Sequence, residues 1–350
     1  MNKIKTNRYF EDFIRYYNLA KKVQENCNLK GCSYIGSCGD DLIEQVTIYD
    51  TVERKHAGFQ NMLQDLWYGS SAPKYYKWTK DHKDRNKFYD NLHNRFGRNE
   101  WLFLFLTHRI TGSGASFEQD HGYRNTILPK LVQQEVKDMS DMQNIILLHG
   151  GTMYTSIGNQ IPAFPKPRSG YKTGGKVYFG EFATLLVKDT WQFIDEIIKA
   201  EKKVNIREIV DFMCEWNRKN GMKRFHFQYT AVAADLADYY PEIIEESSHM
   251  YYGKNAKEAM DLFAEKTTKL SRDRYYDLVM EAAQNATSGS PKDLEDVMCD
   301  YIRYVENYIP DNKQKTYSHL NRKKVWNSSL IKNHPKGRQK WMIDTEEWAW

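Results

Sequence analysis

The chain lacks most of the short signatures by which a sequence discloses its chemistry. It contains no run of 18 apolar residues and does not open on a positively flanked apolar segment. Neither a membrane-spanning helix nor a secretory leader is therefore expected, and the expected location is the cytoplasm. No Cys-x-x-Cys pair occurs. The five cysteines are odd in number: Cys27, Cys32 and Cys38 crowd together without an evident fourth ligand, and Cys214 and Cys299 stand apart. That usage favours reduced structural thiols over a zinc or iron–sulfur centre, so no metal and no cofactor is expected. There is no GxGxxG, and no glycine-rich loop ends in Lys-Ser or Lys-Thr, which sets aside the dinucleotide and P-loop fingerprints. No internal repeat is visible.

What remains is a folded chain with an unusual aromatic load. Its 350 residues are 41% hydrophobic, enough for a substantial core. Lys and Arg outnumber Asp and Glu by 51 to 46, a mild excess that suits an anionic partner without demanding one. Aromatics reach 14%, with 24 Tyr and 9 Trp; such rings fill cores and also stack on bases, so they favour nucleic acid only slightly.

The stretch Trp101–Leu131 reads as the organising element. Trp101 to Leu106 carries no charge and suits a buried helix or strand, between which length cannot decide. The run ends in Thr107-His108-Arg109-Ile110-Thr111-Gly112-Ser113-Gly114-Ala115-Ser116. Two glycines there remove side-chain bulk and open positive φ, so backbone N–H groups can converge on an anion beside Ser113 and Ser116. Arg109 adds a planar, permanently charged fork. Glu118, Asp120, His121, Arg124, Asn125 and Lys130 follow. Taken alone, Gly-Ser-Gly is a common turn; its charged flank is what makes it a candidate for binding.

Around this centre the pattern is helical. Phe10, Phe13, Ile14, Tyr17 and Val23 recur at helical spacing over residues 7–25. Lys80 to Arg98 is a basic helical stretch that reads first as a solvated face and second as a surface tracking a nucleic-acid backbone. Val132–Leu148 reads as helix, then Tyr154 and a run with Pro162, Pro165 and Pro167 form a rigid extended arm. Lys176–Lys188 is apolar apart from Glu181, a carboxylate that needs either a buried arginine or a catalytic task. Helices are expected at Asp189–Lys199, at Ile206–Asn220 with an Asn220-Gly221 stop, and at Thr230–Tyr240 ended by Pro241. Asp235 falls inside the pattern Ala231, Val232, Ala234, Leu236, Ala237, whereas Asp238 reads as nearer the exposed end. Gly253-Lys254-Asn255 opens another helix, where free N–H groups suit either an anion or a plain cap. Helix is expected again from Lys266 to Ile309, broken at Ser288-Gly289-Ser290-Pro291, ahead of a basic tail containing Trp326 and Trp341.

Together, LFLFLTHRITGSGASFEQDHGYRNT, MYTSIGNQIPAFP, EWNRKNG, RFHFQYTAVAADLADYYP and YYGKNAKEAMDLF resemble the alpha-glutamyl/putrescinyl thymine pyrophosphorylase family, which includes phage amino acid:DNA transferases of thymine hypermodification. The resemblance spans roughly residues 100 to 263. It implies a mainly α fold similar to helix-hairpin-helix DNA glycosylases, with a glycosylase-like catalytic core at 96–265; outside it, the residue pattern gives an N-terminal helical region at 1–95 and a helical, basic extension at 266–350. It further implies that an amino acid or polyamine displaces pyrophosphate from activated 5-hydroxymethyluracil in DNA, with a hydroxymethyluracil DNA kinase as functional partner.

In that reaction Arg109, Ser113, Gly114, Arg124 and Lys130 would hold the departing pyrophosphate. Glu181, Asp235 or His121 would take the proton from the amine. Asn125, Tyr154, Gln228 and Tyr229 would receive the extruded base, and Arg224, Lys254 and Asn255 would meet the DNA. Many relatives carry Gly-Pro-Gly where this chain has Gly253-Lys254-Asn255, so that contact and the acceptor chemistry stay open. The rival readings are a DNA glycosylase using Asp235 or Glu181, and a non-catalytic DNA-binding protein. The preferred reading requires the glycine-serine loop, Glu181 and Asp235 to share one cleft.

Overall fold

The computed structural model describes residues 4–30, 52–53, 96–111, 137–149, 165–168, 170–200, 202–223, 225–264, 270–305, 308–310 and 322–324. The fold is mainly helical, as expected. Helix α1 (Arg8–Lys30) turns Phe10, Phe13, Tyr16, Tyr17 and Ala20 inward. Asn7 starts it: its carboxamide oxygen accepts from the Tyr9 N–H at 3.0 Å, and its Nδ2 donates to Leu262 O at 2.8 Å. Helix α2 (Arg98–Thr111) resolves the ambiguity at Trp101–Leu106: all six residues are buried, so a helix with no solvent face there needs no amphipathic stripe.

Helix α3 (Met139–His149) begins where Asp138 Oδ1 accepts from the N–H groups of Ser140 and Asp141. The Lys176–Lys188 run is an interrupted helix: α4 (Gly174–Val177), a π turn (Tyr178–Phe182) and α5 (Ala183–Ile198). A π turn widens the hydrogen-bond ladder, and Gln143 of α3 donates Nε2 to two of its carbonyls, Phe179 O at 2.8 Å and Gly180 O at 3.0 Å. Gly180 lets the Tyr171 ring lie against the turn, where a Cβ would come within 2.5 Å of it.

Two residues of β1 (Val204–Asn205) pair in parallel with β2 (Ile244–Glu245). Helix α6 (Ile206–Lys219) starts on a reciprocal cap, Asn205 Oδ1 accepting from Glu208 N and Glu208 Oε2 from Asn205 N. It stops at Asn220, with Gly221 at φ 72° as its sequence anticipates. Helix α7 (His226–Tyr239) is the axis of the molecule, packed on α2 and α6 and almost wholly enclosed. Its alanines at 231, 233, 234 and 237 let neighbouring helices approach closely.

Helices α8 (Lys254–Phe263), α9 (Arg272–Thr287) and α10 (Pro291–Val305) complete the bundle, and Ser288 ends α9 in the left-handed region at φ 63°. The expected helix to Ile309 is cut short at Val305. Residues 308–310 instead form strand β3 (Tyr308–Pro310), antiparallel to β4 (Arg322–Lys324).

The expected boundaries near 95 and 265 do not divide the hydrophobic core of the described residues. Phe13 of the N-terminal segment meets Phe263 at 4.8 Å and Tyr301 of the C-terminal segment at 5.5 Å between ring centroids. One buried cluster runs from Phe10 to Ile302. No helix among the described residues is long and apolar enough to cross a membrane.

Candidate functional site

Arg109 sits in the last turn of α2, three residues ahead of Gly112, and reaches across to Asp235 in the middle of α7. Its Nε donates to Asp235 Oδ2 and its Nη2 to Oδ1, each at 2.6 Å. Both side chains are sealed, at 1% and 0% exposure. This two-pronged geometry is the strongest form of the pairing, and it explains how α7 tolerates a carboxylate between alanines. It also changes the roles expected of the pair. Both Asp235 oxygens already accept from a guanidinium inside the core, so Asp235 is not placed as a proton acceptor for an amine. Arg109 commits Nε and Nη2 to Asp235, which anchors the end of α2 just ahead of Gly112.

Tyr229, expected to stack on an extruded base, is fully enclosed. Its hydroxyl donates to Asn217 Oδ1 at 2.9 Å and lies 3.0 Å from the Tyr178 hydroxyl. With its own proton spent on Asn217, Tyr229 accepts from Tyr178. Asn217 Nδ2 continues the chain to Lys223 O at 3.0 Å. The relay fastens the π turn, α7 and the end of α6 together, and burial pushes the Tyr229 phenol well above its ordinary range. The ring has no open face for a base. Gln228 is likewise buried on α7.

Glu181 departs from its expected setting too. It lies on the π turn, partly exposed, and pairs with Arg168, whose Nε donates to Oε1 at 3.1 Å and whose guanidinium lies over the Phe182 ring. Glu181 and Asp235 are thus held by different arginines, one at the surface and one in the core. Asp235 is sealed and opens on no cleft, so the cleft expected to hold both acids is not formed, and of the two only the partly exposed Glu181 is open to a substrate.

At the start of α8 the anion-ready backbone is already served from within. Glu295 of α10 accepts from the Gly253 N–H at 2.9 Å. A Cβ on Gly253 would lie 2.7 Å from that carboxylate and 3.0 Å from the Phe227 ring, so glycine is needed for the approach. Lys254 is exposed and 3.9 Å from Glu258, while Asn255 Nδ2 points to Cys299 Sγ at 3.3 Å. Ser113, Gly114, His121, Arg124, Asn125, Lys130, Tyr154, Arg224, Cys32 and Cys38 lie outside the described residues, as does the side chain of Cys27.

The sequence reading missed a second buried charge cluster. Lys292, 1% exposed, sets its ammonium 2.6 Å from Asp238 Oδ1 and 2.8 Å from Glu246 Oε1, with Asp293 at 3.7 Å. Asp238, read as near an exposed end, is in fact covered, and its Oδ2 is buried without a hydrogen-bond partner. Burial raises the Asp238 carboxyl to about 6 against the pull of Lys292, with Asp293 and Asp235 adding to the rise. Burial also works against the Lys292 ammonium, yet Asp238, Asp293 and Glu246 together hold it above its usual range. The one sequence signal was Ser290-Pro291 opening a helix, which fixes where Lys292 starts but not what covers it.

Comparison with known proteins found no matching family model, no matching curated protein and no matching solved structure.

Proposed function

We propose that this chain is a DNA base hypermodification transferase that replaces the pyrophosphate of an activated 5-hydroxymethyluracil with the amine of an amino acid or polyamine. The observation that supports this reading is a convergence. The stretches that carry the family resemblance and fall among the described residues meet on α7. Arg109 of the first reaches Asp235, and Asn217 of the EWNRKNG turn holds Tyr229. Tyr251 of the last packs its ring on His226 at 5.1 Å. Three of these stretches, one of them more than 100 positions away in sequence, thus rest on the fourth, as the parts of a single site would.

On this reading Arg109 and Asp235 position the glycine-serine loop, and Ser113, Gly114, Arg124 and Lys130 receive the leaving pyrophosphate. His121 or the partly exposed Glu181 takes the proton from the amine. Lys254, Asn255 and Arg224 face DNA, whose phosphates draw cations. The test is nucleoside mass spectrometry of hydroxymethyluracil DNA incubated with a hydroxymethyluracil DNA kinase, ATP, this protein and a mixture of amines. A new amine-bearing thymidine that needs both the kinase and the amine is expected. Abasic sites formed without amine would make the protein a glycosylase instead, and unchanged nucleosides with retained DNA binding would remove the enzymatic reading.

A further inference from the structure

A cleft of about 260 Å³ lies between the first turn of α2 and α5. Its wall is fixed at several points. Arg98 donates Nη1 and Nη2 to the two oxygens of Asp195, at 2.7 and 2.5 Å, and its guanidinium lies 4.9 Å over the Trp191 ring. The Trp191 indole N–H donates to the Arg98 carbonyl at 2.9 Å. Arg98 holds the Asp195 carboxyl below its usual range, so the pair stays charged. With 46% and 36% of the two side chains exposed, the cleft is open to a ligand.

What the cleft leaves unfilled is of one kind. Its two acids already accept from within: Asp195 from Arg98, and Glu196 Oε1 from Gln192 Nε2 at 3.2 Å. The side chains of Lys188, Lys199 and Asn99 also line it, and they make no hydrogen bond or ion pair among the described residues. Arg98 and the two lysines outnumber the two acids, so the lining is positive on balance. Unused capacity that consists of donors calls for a negatively charged guest rich in acceptors. Lys188 and Lys199 are eleven residues apart, which is three turns and about 16 Å along a helix, so they stand on one side of α5 at opposite ends of the cleft. A guest with an oxyanion at each end meets both. The volume falls below the usual range of pockets for drug-sized molecules, which limits the guest to a small one.

We propose that this cleft binds a small organic dianion, one carboxylate or phosphate group held by Lys188 and the other by Lys199, with the Asn99 amide as a third donor. The site is separate from the one proposed above and does not rest on it. Arg98 and Arg109 are eleven residues apart on α2, about 16 Å along the axis.

Titration of the full chain, followed through the Asn99 side-chain amide signals in nitrogen-15 spectra, tests this; Asn99→Ala assigns the signals by their loss. Glutarate supplies two carboxylates and fructose 1,6-bisphosphate two phosphates, with acetate as the single-charge control, all at matched ionic strength. The better of the two dianions is expected to shift these signals to saturation with a Kd about two- to fivefold below that of acetate, the worth of one further exposed ion pair. Which of the two binds more tightly identifies the oxyanion. Lys188→Gln and Lys199→Gln should each weaken that dianion about two- to fivefold, whereas Lys219→Gln, which removes an equal charge from the exposed end of α6, should leave its affinity unchanged. The proposal is overturned if neither dianion binds more tightly than acetate, if binding is undiminished with both lysines of the cleft replaced, or if Lys219→Gln weakens it as much as they do.

Discussion

Arg109 and Asp235 stand 126 positions apart in sequence, and the two nitrogens of one meet the two oxygens of the other at 2.6 Å in the core. A charge pair removed this fully from water repays its desolvation only while both partners are present. Arg109→Met alone and Asp235→Leu alone are each expected to cost about 3–5 kcal/mol, since either leaves a buried charge without its counterpart. The double variant should cost far less than the two losses added together. Urea unfolding of the four proteins supplies the cycle, and simple additivity would show that the two side chains do not depend on each other.

Asp238 gives a pH signature. Its carboxyl rises from 3.8 to about 6 on folding, chiefly through burial, so the fold prefers the protonated acid. The stability this confers is complete below about pH 4 and is lost as pH rises through about 6. Lys292 is raised as well, so its contribution is constant throughout this window and adds no slope. The stability of the natural protein relative to Asp238→Asn should therefore fall by about 3 kcal/mol between pH 4 and 7. A difference that stays level across that range would mean that Asp238 is as well solvated in the fold as in the unfolded chain.

These pairs also mark where the sequence was legible. Repeated apolar spacing revealed the helices, and cap chemistry revealed several ends: Asn220-Gly221 closes α6, and Ser288 to Pro291 separates α9 from α10. An Asp among alanines announced that Asp235 needed a partner, yet nothing local says that the partner is Arg109. Glu181 gave the same signal and was misleading, because a π turn rotates it out of the apolar run toward Arg168. Lys292 gave none, since a lysine in the first turn of a helix reads as solvated until Asp238 and Glu246 are folded over it. Long-range charge pairing is a property of the tertiary contacts, and periodicity carries no record of it.

Gly253 makes a prediction about close approach. A methyl group there would press on Glu295 Oε1 at 2.7 Å and on Phe227 at 3.0 Å. Gly253→Ala is expected to destabilise by about 1–3 kcal/mol, the usual range for overpacking. Much of this cost arises from the carboxylate, so Gly253→Ala with Glu295→Ala should cost less than the sum of the single changes. Chemical denaturation of the set decides it. A double variant at or above the sum would place the strain in the backbone and not in Glu295.

Tyr229 separates a structural role from a substrate role most cleanly. Its hydroxyl donates to Asn217 and accepts from Tyr178, all three inside the core. Tyr229→Phe keeps the ring and deletes the link, so Asn217 Oδ1 loses that donor while buried. The expected loss is about 1–3 kcal/mol of folding stability. On the proposed function, DNA affinity at fixed salt should stay within about twofold of the natural protein, because a ring sealed from solvent does not meet a base. Thermal unfolding and fluorescence anisotropy with a labelled duplex measure the two quantities side by side. Stability left intact with DNA binding reduced would reverse the assignment, making Tyr229 a ligand for nucleic acid and requiring α7 to open when DNA binds.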